Sequence, residues 1–141
     1  MNLGAGTKQE AIAELIEVLV RANAVKSKES ALMAVTQRER LRATGLGHGV
    51  ALPHGTDNYS DRVSAALGIS RRGVDFGAED GQPTHVIFML LGHANRPQSN
   101  LHALDQAARL LHTPGIVEVA LNAGSPAEML GFVRAGTWGE Y

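Results

Sequence analysis

This sequence predicts an α/β fold: a single-domain sandwich in which helices flank a small sheet. Three observations carry that prediction. Helical periodicity fills the first forty or so residues, short β-rich runs occupy the middle third, and helical periodicity returns after Pro97. Helices on both sides of a small sheet give a layered α/β arrangement. At 141 residues, with no internal repeat and no low-complexity linker, the chain fits one domain.

The first helix spans about Thr7 to Ala22. Ile12, Leu15, Ile16 and Leu19 recur at helical spacing, and Thr7 with Glu10 forms a T-x-x-E capping pattern. A second helix starts at Ser27, a capping residue, and runs toward Ala43 on a weak apolar stripe until Thr44 and Gly45 end it. Gly45, Gly47 and Gly49 make a flexible lead-in to a short strand, Val50 to Leu52. Pro53 has no N–H, so it ends that strand or lies at its edge. His54-Gly55-Thr56-Asp57-Asn58 is turn chemistry. Val63 to Ser70 reads as a strand, and Gly73 to Pro83 as a Gly-rich loop. Thr84 to Leu91 reads as a buried central strand, because its run from Val86 is uninterrupted and apolar.

A helix begins near Ser99, with Leu101, Leu104, Ala108 and Leu111 on its buried face. Thr113 and Pro114 break it and start a short helix to Ala123. Ser125 then caps a last helix from Pro126 to about Arg134. A further strand is expected before Thr7 or inside the 73–83 loop.

Composition narrows the function. Thirteen basic against fourteen acidic residues give a net charge of -1, without the basic excess of a nucleic-acid surface. No cysteine is present, which excludes disulfides, thiolate zinc sites and cysteine nucleophiles. The six histidines are scattered, with no H-x-x-x-H pair on a helix, so no metal site is expected. The longest apolar runs are too short to span a bilayer. No basic segment leads into an apolar core at the N-terminus, so a cytoplasmic chain without membrane insertion is the expectation. Neither a G-x-S-x-G elbow nor a Walker loop occurs.

His54 is the candidate for chemistry. Pro53 stiffens the chain before it and Gly55 leaves space beside the ring. A neutral imidazole is a competent nucleophile near pH 7, although a plain surface turn accounts for the same residues. Arg38 has Ala31, Ala34, Val35 and Leu41 as helical neighbours. An arginine on such a face either snorkels or meets an anion, and a fixed guanidinium suits phosphoryl transfer.

Arg38-Glu39, then Leu46-Gly47, then Val50-Ala51-Leu52-Pro53-His54-Gly55 closely resemble the phosphohistidine signature of one family. That family is the enzyme IIA domains of the fructose/mannitol type, from the bacterial phosphoenolpyruvate-dependent phosphotransferase system, nitrogen-regulatory IIA proteins included. Val74 to Pro83 with the following strand, and the helix at Asn100-Leu101-His102-Ala103-Leu104, are also similar, so the resemblance covers about residues 7 to 135.

The resemblance implies one domain over residues 1–141 with a mixed sheet of about five strands flanked by helices. It implies that His54 accepts a phosphoryl group from the phosphohistidine of an HPr-like carrier, and that the group passes to a IIB domain or serves as a signal. Arg38 would stabilise the phosphoryl group, with Glu39, Gly55, Thr56 and His48 as supporting residues. No cofactor is implied. A second reading keeps the fold but makes the domain a regulatory module that controls a transporter or kinase by contact.

The family usually carries a second histidine in a His-Leu-x-x-Leu pattern, and here that position is Asn100. Helical offsets from Asn100 reach Ala103, Leu104 and Ala107 on the buried side; those from His102 reach Asp105, Gln106 and Arg109 on the polar side. Asn100 is therefore expected to point inward and to support the site, with His102 toward solvent.

Overall fold

The computed structural model describes residues 2–60 and 62–123. Helix α1 (Lys8–Arg21) begins as the capping pattern requires, with Thr7 Oγ1 accepting the Glu10 N–H at 3.2 Å. Helix α2 (Lys28–Leu41) begins the same way, Ser27 Oγ accepting the Ser30 N–H at 3.2 Å. Strands β1 (Gly45–Gly47), β2 (Val50–Ala51), β3 (His54–Asp57), β4 (Ser64–Val74) and β5 (Thr84–His93) follow, then helices α3 (Pro97–Leu111) and α4 (Ile116–Asn122).

β5 is the centre of a mixed sheet. β4 pairs antiparallel along one side of it; β2 and β3 pair parallel along the other, with β1 antiparallel outside β2. Val50 lies opposite Val86 and His54 opposite Leu90, so the register is unbroken across Leu52 and Pro53. β2 and β3 are thus one strand interrupted at a proline. Pro53 offers no N–H to the ladder, but its carbonyl still accepts from Leu90 N–H at 3.1 Å.

The apolar run of β5 is buried on both faces, as the sequence predicts. Ile87, Met89 and Leu91 pack with the buried residues of α1 and α2. Val86, Phe88 and Leu90 pack with those of α3 and α4. Each such side chain contributes about 1.5–3 kcal/mol by leaving water.

Several expectations change. His54 to Asp57 is a strand, not a turn. The turn chemistry is real but acts later: Asp57 Oδ1 accepts the Ser60 N–H at 2.9 Å and the Tyr59 N–H at 3.1 Å. Upstream of it, pairing with β5 overrides local preference. Gly45–Gly47, expected as a flexible lead-in, pairs with β2 and absorbs an irregularity in register. The strand expected before Thr7 is a single parallel bridge from Asn2 to Ile69, next to a Leu3 N–H to Ile69 O bond of 2.8 Å. β4 continues past Ser70 to Val74. Leu101, expected on the buried face of α3, is exposed, and Ala103, Ala107, Leu110 and Leu111 form that face. The proposed Pro126–Arg134 helix lies outside the described residues. Among the described residues, no helix is long and apolar enough to cross a membrane.

Candidate functional site

The site begins with a close approach of backbone to backbone. A Cβ on Gly55 would lie 2.7 Å from the carbonyl carbon of Ala34 and 2.8 Å from Val35 N. Only glycine lets α2 lie this near β3. Arg38 and Glu39 follow Ala34 by about one helical turn, and the charges of both reach the His54 ring.

His54 is half-buried, and its Nδ1 lies 2.8 Å from the Leu52 carbonyl oxygen. A carbonyl only accepts, so Nδ1 carries the hydrogen and the neutral ring has its lone pair on Nε2. Burial holds the imidazole pKa below its ordinary value; the Leu52 bond opposes this, the Arg38 charge adds to it, and the Glu39 charge opposes it. The neutral ring is therefore the favoured form at pH 7, with its lone pair on Nε2.

Arg38 is anchored by one N–H, Nη1 donating to the Arg42 carbonyl at 2.9 Å. Glu39 is buried and saturated. It pairs with Lys8 Nζ at 3.3 Å and accepts from Thr44 N–H at 2.9 Å and from the Thr44 hydroxyl. Its carboxylate fastens the last turn of α2 to α1 and to the chain entering β1. Glu39 thus fixes the helix turn that carries Arg38.

Strand alternation puts His54 and Thr56 on the sheet face opposite Gly55. Thr56 is exposed and pairs with Gly92. Asn100 sits over that glycine: a Cβ on Gly92 would lie 2.1 Å from Asn100 Oδ1. Asn100 Nδ2 donates to the His93 carbonyl at 2.7 Å, and Oδ1 is buried without a hydrogen-bond partner. His102 is exposed, its Nε2 at 3.1 Å from Gln106 Nε2. Asn100 therefore points inward and His102 outward, as their helical offsets predict.

His48 is not brought to this site. It is exposed in the β1–β2 turn at φ 55°, and its N–H donates to Asp80 Oδ2 at 2.8 Å. The neighbouring Gly49 carbonyl accepts from His85, whereas His54 pairs with Leu90. That separation is about 17 Å along β5. Sequence reasoning missed the Leu52 carbonyl, Thr44 and Gly92. Only Gly92 left a signal, a glycine placed directly after the apolar run. Among the described residues, no group of three or more His, Asp or Glu could hold a metal ion.

A neutral imidazole with a free Nε2, beside a guanidinium anchored at one corner, suits attack on an electrophile that carries anionic oxygens. Similar proteins share this domain. The chain is 33% identical over 119 residues to the PTS system fructose-specific EIIA component of Haloferax volcanii, covering 84% of this chain and 77% of that protein. It is 29% identical over 134 residues to the PTS system fructose-specific EIIABC component of Bacillus subtilis, covering 95% of this chain and only 21% of that longer protein. Among solved structures, the nitrogen regulatory protein IIA-Ntr of Neisseria meningitidis superposes with a TM-score of 0.86 at 29% identity, covering 94% of this chain and 90% of that one. The family described as phosphoenolpyruvate-dependent sugar phosphotransferase system, EIIA 2, matches residues 1–135, and the chain belongs to that family.

Proposed function

We propose that the protein is a phosphocarrier whose acceptor atom is His54 Nε2. The observation that carries this reading is the Nδ1 to Leu52 carbonyl bond, which leaves Nε2 unprotonated beside Arg38. In the forward step Nε2 forms a bond to phosphorus while the P–N bond of a carrier phosphohistidine breaks. The bonding pair leaves with the carrier imidazole, which then picks up a proton. Arg38 stabilises the charge on the equatorial oxygens, Gly55 and Glu39 hold α2 in place, and Thr56 and Asn100 flank the phosphoryl group.

The donor is an HPr-like protein. The recipient is a IIB domain, a reading supported by the EIIABC name of the Bacillus relative, or a target protein that reads the phosphorylation state. Asn100 favours the regulatory form of this reading, because a neutral amide supplies no positive charge where the family has a second histidine.

Incubation with phosphoenolpyruvate, enzyme I and HPr is expected to add one acid-labile phosphoryl group. His54→Ala is expected to take up none. Uptake by that variant at the wild-type rate sinks the assignment. Transfer onward to a IIB domain, compared with retention of label, separates the carrier from the regulatory form.

A further inference from the structure

A cleft of about 660 Å3 opens between the end of α1, the start of β4 and the first turns of α3. None of His54, Arg38, Glu39 or Asn100 lines it. Its volume lies in the range of small-molecule sites, roughly 300–1,000 Å3. Among the described residues, the ionisable side chains lining it are basic: Arg62, Arg96 and His102. Ser64 and Ser99 add hydroxyls, and the buried Leu19 supplies an apolar floor. The α3 end of the cleft adds a further attraction for negative charge. Arg96 stands at the N-cap without a capping hydrogen bond from its side chain and Pro97 has no N–H, so the Gln98 and Ser99 N–H groups are left to a solvent or ligand acceptor.

We propose that this cleft binds a small organic anion with an apolar body, its phosphate or carboxylate head held by Arg62, Arg96 and Ser99. The site is separate from His54, so it gives the domain a ligand response that needs no phosphoryl transfer. The two arginines line the cleft from different parts of the chain, one before β4 and one at the N-cap of α3. Their forks suit bidentate capture of an oxyanion. The apolar floor distinguishes an organic anion from inorganic phosphate, which has nothing to bury there.

The test is an amide NMR titration of the whole chain with phenyl phosphate, benzoate and inorganic phosphate in separate arms. Saturable shifts are expected at residues 63–65 and 99–102, at lower concentration for an aromatic anion than for inorganic phosphate. Whichever aromatic probe binds tighter names the head group. Arg62→Gln with Arg96→Gln, both at exposed positions, should weaken binding at least about tenfold while the rest of the spectrum is kept. His54→Ala should leave the binding unchanged, whatever it does to phosphoryl uptake. Shifts that centre on residue 54 and vanish in His54→Ala overturn the proposal. So does binding that ignores the double substitution, or inorganic phosphate binding as well as phenyl phosphate.

Discussion

His48 and His54 both sit beside glycine in one short stretch of chain, on either side of β2. At the His54 end the glycine serves contact. Gly55 faces the backbone of α2, the ring is tied to the Leu52 carbonyl, and the Arg38 charge reaches it. At the His48 end the glycines serve conformation. Gly47, His48 and Gly49 all have positive φ, the His48 side chain is exposed, and only its backbone is tied, to Asp80. A histidine among glycines gains a defined tautomer when a backbone carbonyl ties its ring, not because the chain is flexible nearby.

The largest test of this contrast is Gly55→Ala. Its Cβ would meet backbone atoms of Ala34 and Val35, which cannot swing aside. A loss of about 3 kcal/mol in denaturant-measured stability is expected, with slower phosphoryl uptake in the folded fraction because α2 and Arg38 are displaced. A Gly55→Ala protein as stable as wild type would mean that α2 is free to retreat.

Next in size is Arg38→Lys. It keeps the charge and loses the planar fork, so phosphoryl acceptance should slow by about tenfold, roughly 1.4 kcal/mol, without loss of fold. Unchanged kinetics would reduce Arg38 to a helix-end residue bonded to Arg42. Arg38→Gln tests the electrostatics. His54 should titrate below an ordinary histidine in wild type and move partway up in Arg38→Gln, because burial, the larger cause, remains. With the folded pKa below the unfolded one, the unfolded chain binds more protons between the two values. The His54 contribution to stability is therefore complete above the unfolded pKa and lost as pH falls through the folded one. A His54 midpoint at or above that of an exposed histidine breaks this account.

Much of this contrast was legible beforehand, and its limits are physical. Local signals were sufficient where local bonds decide, as at Thr7 and Ser27, whose hydroxyls cap their helices. Helical offsets were sufficient to turn Asn100 inward and His102 outward. The His54–Asp57 strand was missed because its pairing partner, residues 90–93, is distant in sequence and its own residues favour turns. His48 lies apart from the site because closeness in sequence is not closeness in space: residues 49–53 carry the chain about 17 Å along β5 between the two histidines. The Leu52 carbonyl, which sets the ring tautomer, is a backbone atom and leaves no mark in residue identity.

At the His48 end the effects should be smaller and confined to stability. Gly49 has φ 83°, and a Cβ there would meet side chains alone, Val117 at 3.1 Å and the His85 ring at 3.8 Å. Gly49→Ala should cost about 1 kcal/mol, from left-handed backbone strain. Phosphoryl uptake should be spared in this variant and in His48→Ala. A rate loss in His48→Ala comparable to that of Arg38→Lys would join the two ends into one site.

The smallest expected effect is at Asn100, where the chain departs from the family pattern. Its Nδ2 already donates to the His93 carbonyl, and its buried Oδ1 has no partner. A histidine here can keep what the amide does well. Its Nδ1 falls where Asn Nδ2 lies, so Nδ1–H can donate to the same carbonyl. The ring Cδ2 then replaces the orphaned oxygen and removes an unsatisfied acceptor from Gly92. Nε2 extends beyond the reach of the amide, toward the face that carries His54 and Thr56. In the neutral ring Nε2 has only a lone pair, which repels phosphoryl oxygens; in the protonated ring it becomes a charged donor. Asn100→His should therefore stabilise phosphorylated His54 by about threefold near pH 6 and by much less at pH 8, read as the half-life of the acid-labile label at each pH. His102→Ala should change neither value. A gain that is equal at both pH values would mean that the added ring acts by packing over Gly92. A loss of label in His102→Ala would mean that the outward histidine, not position 100, serves the phosphoryl group.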